Sequence, residues 1–71
     1  MSDDVLVAVR ALVNDLVEVV ADDAPLDLDS LTLVQIAEEL EARFEFVVRA
    51  ADLTPANFDS VAAMAAYVRA R

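Results

Sequence analysis

The chain contains no glycine, cysteine, histidine, lysine or tryptophan, and only two prolines. Each absence removes a class of structure or chemistry. Hairpin turns draw on residues that tolerate positive φ, glycine above all, so a β-rich fold is poorly supported. Without cysteine there is no disulfide, no thiol nucleophile and no thiolate metal site, and nothing speaks for secretion. Without histidine no side chain titrates near neutral pH in its ordinary state, and without lysine there is no Schiff-base chemistry. Glycine-rich phosphate loops are excluded outright. Paired carboxylates remain, but acid–base catalysis needs a cleft that raises one pKa, and a domain of this size has little room for one. A metal centre is not expected, and neither is an enzyme. No apolar run approaches the ~18 residues of a membrane span. The opening Met1-Ser2-Asp3-Asp4 is acidic where a signal peptide is basic, so a cytoplasmic location is expected.

What is present is aliphatic and acidic. Apolar types make up 59% of the 71 residues, which rules out a disordered acidic tail, and aromatics only 6%. Small aliphatic side chains suit a close-packed helical bundle, and the length allows one domain, 1–71. With neither metal nor disulfide, such a core supplies about 3–5 kcal/mol of net stability. Fourteen acidic residues against five arginines give a net charge of −9. Phosphate backbones repel that surface, so nucleic acid is not an expected partner. Proteins with basic patches are.

Periodicity organises the chain into helices. Ser2 is placed to cap a first helix, with Asp3 and Asp4 in its first turn. Leu6, Val9, Leu12, Val13, Leu16 and Val20 keep helical spacing to an end near Ala21. Residues 22–29 read as a loop broken at Pro25, with Leu26 and Leu28 tucked inward. A second helix spans Ser30 to Phe44 and buries Leu33, Ile36, Ala37, Leu40 and Phe44. Its outer face carries Leu31, Val34 or Gln35, Glu38 and Glu41. That mixture of apolar and acidic residues suits a docking surface, and ordinary helix solvation equally. Phe46, Val47 and Val48 form a short link. Thr54 caps and Pro55 opens a brief turn anchored by Phe58, and Asp59 or Ser60 caps a last helix with Val61, Met64, Ala65 and Val68 inward and Tyr67 near the rim. The expected fold is all-α: a small four-helix bundle with three main helices, a short third one and a long first loop.

Two features of the first loop bear on function. Asp27-Leu28-Asp29 with Glu38 resembles part of a calcium loop, but Leu31 stands where an oxygen ligand is needed and Thr32 where the turn needs glycine. Asp29-Ser30-Leu31 places a hydroxyl at the start of a long helix, where free N–H groups and the helix dipole suit an attached phosphodiester. Taken alone, an Asp-Ser-Leu of this kind is far more often a plain helix cap, with Asp29 or Ser30 as the capping residue.

The residues around Ser30 resemble the acyl carrier protein family over nearly the whole chain. Asp29-Ser30-Leu31 is similar to the family's Asp-Ser-Leu signature, and Leu33-Val34-Gln35-Ile36-Ala37-Glu38-Glu39-Leu40-Glu41-Ala42-Arg43-Phe44 to its recognition helix. Asp52-Leu53-Thr54-Pro55-Ala56-Asn57-Phe58-Asp59-Ser60-Val61 resembles the third-helix region. The resemblance implies that a phosphopantetheinyl transferase, using coenzyme A and magnesium, esterifies Ser30 with 4′-phosphopantetheine, whose thiol then carries acyl or aminoacyl groups as thioesters. It implies that Asp29 helps bind the transferase's metal, and that Leu31, Val34, Glu38 and Glu41 face partner enzymes with basic docking patches. A monomer is expected.

Asp27 and Leu28 stand where the family usually has glycine before the serine, and Leu31-Thr32-Leu33 is less acidic than in fatty-acid carriers. These departures favour a free-standing carrier of a polyketide or nonribosomal-peptide pathway over fatty-acid biosynthesis. Asp59-Ser60-Val61 repeats the Asp-Ser pair before the last helix, where capping is the expected role. The competing reading of the whole chain is an unmodified acidic helical adaptor or inhibitor that binds a basic protein through Glu38 and Glu41.

Overall fold

A computed structural model describes residues 3–71. The helices are α1 (Asp4–Asn14), α2 (Ser30–Phe44), α3 (Pro55–Phe58) and α4 (Val61–Arg69), with a 3-10 turn, Ala50–Asp52, ahead of α3. No strand occurs among the described residues, and none of their helices is long and apolar enough to cross a membrane. The expected all-helical bundle, with its long first loop and short third helix, is the observed one.

α1 departs from expectation at both ends. Asp3 is the cap, its Oδ1 accepting from Leu6 N–H at 3.1 Å, so only Asp4 occupies the first turn; Ser2 lies outside the described residues. The helix stops at Asn14, not near Ala21. Leu16 and Val17 N–H both return to Val13 C=O, and Asn14 Oδ1 accepts from Val19 N–H at 3.3 Å, which draws the chain out of the helical path. Val17, Val19 and Val20 are β-branched and lose χ1 freedom against the preceding turn of a helix, so leaving the helix here costs little. Val20, whose spacing pointed inward, is 84% exposed.

α2 runs over the expected residues and buries Ile36, Ala37 and Leu40, with Leu33 and Phe44 half-buried against the same core. It ends on Glu45 at φ 57°, a left-handed position that glycine usually takes and that a chain without glycine fills at a cost. The core joins Val9 and Val13 of α1, Ile36 and Leu40 of α2, Phe58 of α3, and Val61, Met64, Ala65, Tyr67 and Val68 of α4.

The first loop is fastened to this core in three ways. Leu26 and Leu28 are half-buried against it, as expected. Asp22 C=O accepts from Ala62 N–H at 2.8 Å, and Asp59 C=O accepts from Leu26 N–H at 2.5 Å. Arg10 of α1 donates through Nε and Nη2 to the two carboxylate oxygens of Asp22, at 2.6 and 2.5 Å. Hydrogen bonding to Arg10 holds the Asp22 carboxyl below its ordinary pKa.

The 3-10 turn is a feature that local sequence did not suggest. It places Asp52 so that its C=O accepts from Asn57 Nδ2 at 2.9 Å and its Oδ2 from the Tyr67 hydroxyl at 2.7 Å. Tyr67 is accordingly buried and not at the rim, its ring tilted against Phe58 and Phe46 at 5.3 and 6.0 Å. Burial, and then the bond to Asp52, raises the pKa of its phenol. Pro55 opens α3, but Thr54 makes no capping bond through its side chain.

Candidate functional site

The site is built at the junction of the first loop and α2. Asp29 is the cap of α2, in an extended conformation (φ −78°, ψ 170°), with Oδ1 accepting from Thr32 N–H at 2.7 Å and its C=O from Leu33 N–H at 2.9 Å. The sequence left Asp29 and Ser30 as equal candidates for that role; Asp29 takes it. Bonds from the Thr32 backbone and then the Thr32 side chain lower the pKa of the Asp29 carboxyl. Its negative charge lies at the positive end of the helix dipole, which favours the ionised form in the same sense.

With the cap supplied by Asp29, Ser30 becomes the first helical residue. It is exposed, and its hydroxyl makes no hydrogen bond among the described residues. Two residues earlier the half-buried Leu28 meets the core, and two before that Leu26 N–H is tied to Asp59 C=O. The serine therefore projects from a fastened position. Beside it, Leu28 and Leu33 face Leu53 and Phe58 across a shallow groove of about 250 Å³.

The remaining predicted residues lie along one face of α2. Leu31 is 71% and Val34 43% exposed, and Glu38 is exposed. Glu41 is half-buried, and its Oε2 accepts from Val48 N–H at 2.7 Å, which joins α2 to the link after it. Next to Val48 in this link, outside any helix, Val47 is 68% exposed.

Ser60 is placed differently. It is buried, and its Oγ accepts from Ala63 N–H at 3.0 Å as the cap of α4. Among the described residues no group of three or more acidic side chains is arranged to hold a metal ion. Nor does the chain own a histidine or lysine to take the proton of Ser30. Of the two serines that follow an aspartate, only Ser30 is exposed.

A family model described as the phosphopantetheine attachment site matches residues 7–68, from the first half of α1 to the last turn of α4. Neither the curated proteins nor the solved structures contain a match to the chain.

Proposed function

The chain belongs to the phosphopantetheine attachment family, and on that premise we propose that Ser30 is the residue that carries the arm. The family's prosthetic group is covalently bound 4′-phosphopantetheine, and its members serve as carriers and not as catalysts. When bound, the group supplies the terminal thiol that this cysteine-free chain lacks, and with it a thioester linkage for cargo. The observation that carries the assignment is the division of labour at the start of α2. Asp29 does the capping, so the Ser30 hydroxyl is exposed and unbonded, and esterifying it breaks no bond of the fold. Ser60, the other serine that follows an aspartate, is buried and committed to its helix. A phosphodiester on Ser30 also stands at the positive end of a 15-residue helix.

The roles of the surrounding residues follow from their exposure. Asp29 lends an exposed carboxylate to the magnesium of a phosphopantetheinyl transferase that draws on coenzyme A. Leu31, Val34 and Glu38 present apolar and acidic groups to enzymes that load and process the cargo, whose docking sites are correspondingly apolar with basic margins. Glu41 contributes charge to that face while holding the 46–48 link. The first turn, Leu31-Thr32-Leu33, has no carboxylate, which favours partners of polyketide or nonribosomal-peptide synthesis over those of fatty-acid synthesis.

Intact mass after incubation with coenzyme A, magnesium and a phosphopantetheinyl transferase tests the reading. A gain of one phosphopantetheine in the parent chain and none in Ser30→Ala establishes the site. No gain with several transferases returns Ser30 to a plain helix position and leaves an unmodified acidic adaptor.

A further inference from the structure

Between Asp4 and Asn14, α1 carries one polar side chain, Arg10; every other position is Val, Leu or Ala. A helix apolar on all sides is ordinarily covered on all sides. Here one face meets the core through Val9 and Val13, while the opposite face stays open: Val7 is 51% exposed and Ala11 is exposed. One flank of the open face falls into a groove of about 460 Å³ between α1 and α2, floored by Ala8, Ala11, Leu12 and Ala42. Asp15 and Glu39, both exposed, stand on its rim. Arg43 lines it too, but its guanidinium is drawn over the Phe44 ring, 5.5 Å from the centroid.

We propose that this groove is a second docking surface, which receives a cationic amphipathic helix from a partner protein. Walls made by two helices accept a third between them, and alanines on the floor let its backbone approach to about 8 Å. The rim carboxylates of Asp15 and Glu39 match lysine or arginine flanking the partner's apolar stripe, and the net charge of −9 steers such a helix inward. The same charge argues against a second copy of this chain, which brings carboxylates to carboxylates. On α2 the groove residues Glu39 and Arg43 lie roughly two-fifths of a turn from Val34 and Glu38. A partner seated there holds the chain by its flank and leaves the Ser30 face open to other enzymes. The groove's occupancy does not depend on modification of Ser30.

The test is a titration of the full, isotope-labelled chain with a synthetic 14-residue helical peptide that has an Ala/Leu stripe flanked by lysines, against a peptide of the same composition in scrambled order. The expected result is amide shift changes centred on Ala8, Ala11, Leu12, Glu39 and Ala42 with the ordered peptide only. Ala42→Arg should weaken binding at least tenfold and Glu39→Gln severalfold, whereas Ala66→Arg, the same change at an exposed position of α4, should leave it unaltered. Equal shifts from the scrambled peptide, or shifts spread over the acidic surface at large, overturn the proposal in favour of unspecific charge attraction. A concentration-dependent dimer of the chain alone, dissolved by Ala42→Arg in sedimentation equilibrium, overturns it in favour of a second copy.

Discussion

Asp29-Ser30-Leu31 and Asp59-Ser60-Val61 present the same pair of residues before a helix, and the fold gives them opposite uses. At α2 the aspartate caps and the serine is the first helical residue; at α4 the serine itself caps. The register differs by one residue, and the next position shows the consequence: Leu31 is 71% exposed and Val61 is fully buried. The start of α4 is pressed into the core, so Ser60 is carried inward and its oxygen must find a donor there, which it does in Ala63 N–H. The start of α2 lies at the surface, where the longer and charged Asp29 reaches Thr32 N–H and leaves the serine idle. Depth in the fold, and not the dipeptide, separates the proposed modification site from a cap.

The comparison breaks most sharply in a modification assay. Ser30→Ala should abolish incorporation of phosphopantetheine entirely, while Ser60→Ala, if folded, should be modified as the parent is; intact mass reads both. Incorporation that survives in Ser30→Ala and vanishes in Ser60→Ala would invert the assignment. The next largest contrast lies one residue on. Val61→Ala removes two methyl groups from the core and should cost about 2 kcal/mol, whereas Leu31→Ala on the open face should stay within about 0.5 kcal/mol. Urea midpoints measure the pair. For a domain with about 3–5 kcal/mol in hand, the first change is a large share of its stability. Equal losses would mean that the two helix starts are equally buried.

The contrast between the two serines was only half legible in the sequence. The start of α2 could be read because Pro25 breaks the chain, and Leu33, Ile36, Leu40 and Phe44 set the helix phase from within. Which of Asp29 and Ser30 caps could not, since either side chain reaches the same amides. The apolar spacing of Leu16 and Val20 continues the helical pattern of α1 to near Ala21. The chain instead turns out where Asn14 binds Val19 N–H, a competition between side chain and helix that periodicity does not weigh. The turn Ala50–Asp52 and the burial of Tyr67 depend on one another through a hydrogen bond fifteen residues apart in sequence, so no local signal carries either. Glu41 looked like a purely exposed acid, and its bond to Val48 N–H depends on where the link folds back.

Capping energies sharpen the comparison on a smaller scale. Ser60→Ala leaves Ala63 N–H without its acceptor in a buried setting and should cost about 1 kcal/mol, lowering the melting temperature by about 4–8 °C. Ser30→Ala removes no bond and places a better helix former at an exposed position, so its melting temperature should hold or rise slightly. A comparable fall in both variants would show that Ser30 shares in capping after all.

The smallest effect distinguishes the two caps by charge. Asp29 has its pKa lowered in the folded chain, chiefly by the bond from Thr32 N–H. A lowered folded pKa means that the carboxylate's contribution is present above the unfolded value of about 3.9 and is lost as pH falls through the folded value. Ser60 caps with a neutral hydroxyl that does not titrate. The loss of stability in Asp29→Ala should therefore be greatest near neutral pH and shrink as pH is taken below 4. That in Ser60→Ala should stay constant over the same range. Asp29→Asn keeps an oxygen for Thr32 N–H and discards the titration, so it should keep part of the cap with none of the pH dependence. Thermal melts of the three variants and the parent from pH 7 to pH 3 supply the comparison. A Ser60→Ala deficit that faded with acid as the Asp29→Ala deficit does would mean that the two caps differ in depth alone and not in charge.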